Sequence, residues 1–130
     1  MKILVVDNDP TTIGVLEHAL ADHAVRVAHR ASAGLAQVAD ALWQQDPFDA
    51  VICELALGGP FLMSALRAHR QPPICILMAG YEHVVEAAMG AEWVLMKPLC
   101  HQEIADVLER VQLQRARAKT RELRGLEPTG

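Results

Sequence analysis

The chain has 130 residues, enough for one domain with a core that needs no disulfide or metal. Its composition is 52% hydrophobic, 22% charged and 4% aromatic, and no apolar run nears the roughly 20 residues of a bilayer span, so no membrane-spanning helix is expected and an aliphatic globule is. Net charge is −4 but unevenly spread: residues 1–114 hold 7 basic and 14 acidic side chains, whereas 115–124 hold 5 basic and 1 acidic, giving an acidic body and a basic C-terminal segment.

The first strand is Lys2–Asp7, an apolar run without alternation, as a strand covered on both faces requires. Asp9-Pro10 then sets a capping side chain before proline at the first helical position and opens a helix over Thr11–Ala21. A weaker strand, Ala24–His29, is interrupted by Arg26, and Ser32 caps a second helix over Ser32–Gln45. The third strand is Asp49–Glu54. Gly58-Gly59-Pro60 breaks the chain before a helix over Phe61–His69. Pro73–Met78 is the fourth strand, Glu82–Met89 a helix of about two turns ended by Gly90, and Glu92–Met96 the fifth strand. A long helix starts near His101. Its stripe of Ile104, Val107, Leu108 and Val111 then stops, so a helix to Arg124, roughly 36 Å long, overhangs the body in its second half. The domain is accordingly 1–112 and the C-terminal helical extension 113–130.

Five strand–helix alternations predict right-handed crossovers and an α/β doubly wound three-layer sandwich on a parallel five-stranded sheet. Sites in such a fold gather at the carboxyl ends of the strands. Projected onto one rim, those ends bring together Asp7, Asn8 and Asp9, then Glu54, then Met78-Ala79, then Lys97-Pro98. Three carboxylates and a lysine at one edge suit either a hard divalent cation or an ion-pair cluster.

At these residues the chain resembles a response-regulator receiver domain. KILVVDNDP, FDAVICELALGGP, PPICILMAG and GAEWVLMKPL fall in that family's order over residues 1–112. The resemblance implies a flavodoxin-like (βα)5 fold with strand order 2-1-3-4-5 and a site of known parts. An acidic pair after strand one and an aspartate after strand three bind Mg²⁺, that aspartate takes the phosphoryl group, a Ser or Thr after strand four contacts it, and a lysine joined to a cis proline completes the site. Asp7 and the Lys97-Pro98 pair match.

The departures carry as much information. Asn8 replaces the second acidic position and weakens any Mg²⁺ site, which Asp7, Asp9 and Glu54 would have to form; no metal or cofactor is expected to be required. Glu54 replaces the phosphoacceptor, and its extra methylene moves the carboxylate by roughly 1.5 Å, where about 1 Å can cost on the order of 10²-fold in rate. Met78 replaces the hydroxyl residue and Val94 the switching aromatic. The expectation is an atypical, pseudo-receiver module of two-component signalling that is not phosphorylated, not an enzyme, and acts by binding a protein partner or effector domain. Lys97 then pairs with Glu54 as a mainly structural ion pair. A homodimer through the helix 4/strand 5/helix 5 face or the C-terminal helix is the further expectation.

Two other readings compete. One is a working phosphoacceptor with unusual chemistry. The other is a haloacid-dehalogenase-like phosphatase with Asp7 as nucleophile and Asp9 as general acid, from VVDNDPTTI; Met78 and PLCHQEIADV lack its later motifs. Cys53, Cys75 and Cys100 show no C-x-x-C spacing and read as reduced thiols, Cys100 partly buried, in a cytoplasmic protein. The histidines, among them His29 and His83, lack metal-ligand spacing. Arg115, Arg117, Lys119, Arg121 and Arg124 do not line one helical face and no aromatic is interleaved, so a solvated linker helix is expected in place of nucleic-acid contact. Trp43 and Trp93 are expected to pack.

Overall fold

Five strand–helix units follow in order: β1 (Lys2–Val6) and α1 (Pro10–Ala19), β2 (Ala24–Ala28) and α2 (Ala31–Trp43), β3 (Ala50–Glu54) and α3 (Gly59–Arg67), β4 (Ile74–Gly80) and α4 (Val84–Gly90), β5 (Trp93–Lys97) and α5 (His101–Gly125). The computed structural model describes residues 1–125, and at residues 89 and 90 the backbone alone. Every strand pair is parallel and the order is β2-β1-β3-β4-β5. The flavodoxin-like expectation is met.

Alternation along the strands divides the core in two. Ile3, Val5, Ile52, Ile76 and Leu95 pack on one face with Leu16 of α1 and Ile104 and Val111 of α5. Leu4, Val6, Val51, Cys53 and Leu77 pack on the other with Val38 of α2, Leu62 and Leu66 of α3, and Ala87 of α4. Both faces of β1 and β3 are covered, which is why those strands read as unbroken apolar runs. β2 lies at the edge and is half exposed, and this accounts for Arg26.

Local chemistry sets most boundaries. Asp9 caps α1 by accepting from the Thr11 N–H, with Pro10 at the first turn. Ser32 does not cap α2: the helix starts one residue before it, and the cap is Arg30, extended and without a side-chain bond. Gly58, at φ 79°, turns the chain between a 3₁₀ turn at Leu55–Leu57 and α3. A Cβ on Gly59 would lie 2.7 Å from Leu77 Cδ2 and 3.2 Å from the Glu54 carbonyl oxygen. The glycine-rich loop after β3 is therefore packed directly under the rim.

α4 is two turns long, preceded by a 3₁₀ turn at Tyr81–His83. α5 holds the body through Val111, the Trp93 indole N–H donating to Gln114 Oε1 at 3.0 Å, and an Arg115–Asp49 ion pair at 2.6 Å. From Arg115 to Gly125 every residue is exposed, as the stripe's end predicts. Residues 126–130 of the expected extension lie outside the described residues. Trp43 does not pack: it ends α2 at 88% exposure, because the buried face of that helix is taken by Gly34, Val38 and Ala41. Among the described residues no helix is long and apolar enough to cross a membrane.

Candidate functional site

Strand parity builds the site. Asp7 continues the face of Ile3 and Val5, Glu54 that of Ile52, Met78 that of Ile76, and Lys97 that of Leu95, so all four project to the α1/α5 side where the strands end. Register places Glu54 beside Met78 and Gly80 beside Lys97.

The Lys97 ammonium lies between two carboxylates. It donates to Asp7 Oδ2 at 3.1 Å and sits 2.8 Å from Glu54 Oε2. The first contact is a directed hydrogen bond; the second is an ion pair without that alignment, which leaves the shielded Glu54 Oε2 with no hydrogen-bond donor. Asp7 is 1% exposed, and its other oxygen accepts from the Asp9 N–H at 2.9 Å. Burial alone pushes the Lys97 ammonium pKa down, but the close negative charge of Glu54 and the hydrogen-bonded carboxylate of Asp7 outweigh it and hold the group above its ordinary value of 10.5. Lys97-Pro98 is a cis peptide.

Asp9 stands apart from this cluster. Its Oδ1 accepts from the Thr11 N–H at 3.1 Å and its Oδ2 from the Thr12 hydroxyl at 2.9 Å, so both oxygens serve the helix cap. Those bonds, the Thr12 hydroxyl first, lower its pKa. Asn8 is exposed. Asp7 and Glu54 are thus turned onto an ammonium and Asp9 onto a cap, and among the described residues no three His, Cys, Asp or Glu side chains group closely enough to hold a metal ion. Asp7 is buried and engaged at both oxygens.

No family model matches the sequence, and no curated protein matches it. Solved structures do. A candidate response regulator from Chloroflexus aurantiacus J-10-fl superposes at a TM-score of 0.74 and 26% identity, over 85% of this chain and 95% of that one. A response regulator receiver domain protein from Clostridium thermocellum gives 0.75 and 19%, over 88% and 96%. The fold is that of a response-regulator receiver domain. NtrX from Brucella abortus reaches 0.77 at 25% identity over 97% of this chain, which spans only 30% of that one.

Met78, which the resemblance sets at the hydroxyl position, is fully buried in the α1/α5 core. Val94 is partly buried against the opposite core and has no polar tip to swing. Beside Glu54 opens a cleft of about 230 Å³ between Leu55, Ala79, Gly80, His83 and Glu86. Sequence reasoning missed His83 and Glu86 as rim residues. Their only signal is the three-residue spacing at the start of α4, where His83 Nδ1 lies 3.6 Å from Glu86.

Other candidates fall away from the rim. Cys53 and Cys75 are buried, and burial pushes their thiols up to about 12 and about 11, aided by Glu54 for the first and Glu92 for the second. Cys100 is exposed, not partly buried, because it precedes α5 outside the packed turn. His29 Nδ1 contacts the Asp7 carbonyl at 3.3 Å. Trp93 packs, with Arg110 5.9 Å above its ring. The basic segment needs a correction: Arg117, Arg121 and Arg124 do share a face, with Leu113, because their spacing of four and three matches the helical turn.

Proposed function

We propose that this receiver-fold chain is a two-component signalling module that carries no phosphoryl group and acts by associating with a protein partner or effector domain. The observation behind this is the position of Lys97, whose ammonium sits on Glu54 and Asp7 where phosphoryl oxygens and metal would have to enter. The glutamate supplies an internal anion in their place. Met78 and Val94 supply neither the hydroxyl nor the aromatic of a switch, so the pair is a structural lock on one state. No metal or cofactor takes part. Phosphoryl transfer depends on positioning and charge neutralisation, and this rim has spent its one cation internally.

The span of 30% on NtrX supports a setting in which such a domain works with further modules. Exposed Tyr81, Val85 and Met96, around α4 and β5, give an apolar surface for a partner or a second copy. Free thiols at Cys53, Cys75 and Cys100 support a cytoplasmic setting. Incubation with a small phosphodonor and Mg²⁺ tests the proposal: no covalent adduct and no turnover of a phosphate ester are expected. A hydroxylamine-labile adduct would instead make the chain a phosphoacceptor of unusual chemistry.

A further inference from the structure

Past Arg115, α5 leaves the body, yet its outer surface is not uniformly polar. Leu113, Ala116, Thr120 and Leu123 recur at three, four and three residues, so they form one stripe on the side opposite Ile104, Val107, Leu108 and Val111. Leu113 is 52% and Leu123 59% exposed. The Thr120 hydroxyl donates to the Ala116 carbonyl at 2.9 Å, so it is satisfied within the helix. Leu113, Ala116 and Thr120 share a groove with Arg117, Arg121 and Arg124. Helical geometry puts Lys119 on the stripe's other border.

An apolar seam at this spacing with charges on both flanks is half of a two-helix coiled-coil interface. The flanks identify the other half. In a parallel pairing of two copies, Lys119 would face the copy's Arg124, and within residues 113–124 no acidic side chain flanks the seam to relieve that repulsion. A helix with acidic flanks meets complementary charge at every one of these positions. The seam of two leucines, an alanine and a threonine is also narrow, unlike the broad aromatic-bearing face with which a helix enters lipid.

We propose that residues 113–124 form a docking face for an acidic amphipathic helix of another protein, one with leucine-type residues along its seam and Asp or Glu on both flanks. This rests on the reading of the chain as a protein-binding module, and Glu54 has no part in it. The inference names the partner's chemistry, which that reading leaves open.

Fluorescence anisotropy with the full chain and labelled three-heptad peptides tests it. A leucine-seam peptide with Glu flanks should bind at least ~10-fold tighter than its Lys-flanked counterpart, a gap of about 1.4 kcal/mol. The double substitution Leu113→Ser with Leu123→Ser should remove about 10-fold of that affinity while circular dichroism and melting stay unchanged, since both side chains are exposed. The triple substitution Arg117→Glu, Arg121→Glu and Arg124→Glu should invert the peptide preference. Equal binding of the two peptides overturns the proposal, as does equal binding of a Glu-flanked peptide with a serine seam. Tighter capture by phosphatidylserine vesicles or duplex DNA than by the peptide also overturns it. So does a wild-type dimer in sedimentation that the leucine substitutions dissociate, which would assign the seam to a second copy. A phosphoryl adduct on Glu54 would sink the earlier reading and leave these outcomes untouched.

Discussion

Lys97 is the side chain on which the rim's arrangement turns, because among the described residues it is the cation set against both Asp7 and Glu54. Replacing it leaves Asp7, almost fully buried, with an uncompensated charge. The Lys97→Ala variant should therefore lose between the ~1 kcal/mol of an exposed pair and the ~3–5 kcal/mol of a buried one, read as a fall in Tm. Adding Asp7→Asn should recover part of the loss, since the orphan charge is then gone. The pH dependence has a definite sign. The folded pKa of Lys97 is raised, so its contribution is full below 10.5 and fades as pH climbs through the raised value; the Tm gap between wild type and Lys97→Ala should close only on that alkaline side. A gap that is absent at neutral pH removes the pairing argument. The identities of these residues were legible from the strand ends and from the resemblance to a receiver. What was not legible was the desertion of Asp9, whose carboxylate is claimed by the Thr11 and Thr12 donors of its own helix. A pattern of acidic residues does not say which of them the local backbone will take.

Elements show the same division between pattern and contact. The strands and the overhang of α5 followed from apolar periodicity, because each depends on which face is covered, and the short α4 from the shortened stretch between Ala79 and Gly90. Caps and loop packing did not. Ser32 has a capping side chain yet sits inside α2, and Trp43 has a packing ring yet stands in solvent, since both outcomes depend on where the helix meets the sheet. Gly59 shows how tight that meeting is at the rim. Its substitution by alanine drives a Cβ toward buried Leu77 and the Glu54 carbonyl, and should cost about 1–3 kcal/mol. The same change at Gly14, in the exposed interior of α1 with nothing within 4 Å, should stabilise by roughly 0.5–1 kcal/mol. Paired denaturant melts of Gly59→Ala and Gly14→Ala give the two signs, and two shifts in the same direction would refute this account of the loop.

For the molecule as a whole, the three thiols report cooperativity. Cys53 lies in the α2–α4 core and Cys75 in β4 beside it, both raised in pKa, while Cys100 is exposed. Thiol labelling near pH 8 should modify one cysteine at once and the other two only at the rate of global opening. Stepwise labelling of Cys53 ahead of Cys75 would mean that the rim opens on its own. The receiver fold is intact around a rim where Lys97 bridges Asp7 and Glu54, and the proposed function rests on that bridge taking the place of a phosphoryl group. Intact-mass spectrometry after incubation with a histidine-phosphate donor and Mg²⁺, with fragmentation to locate any adduct, tests this most directly. The wild-type chain should keep its unmodified mass while an ordinary aspartate-bearing receiver in the same tube is labelled. A gain of one PO₃ group assigned to Glu54 would contradict the account.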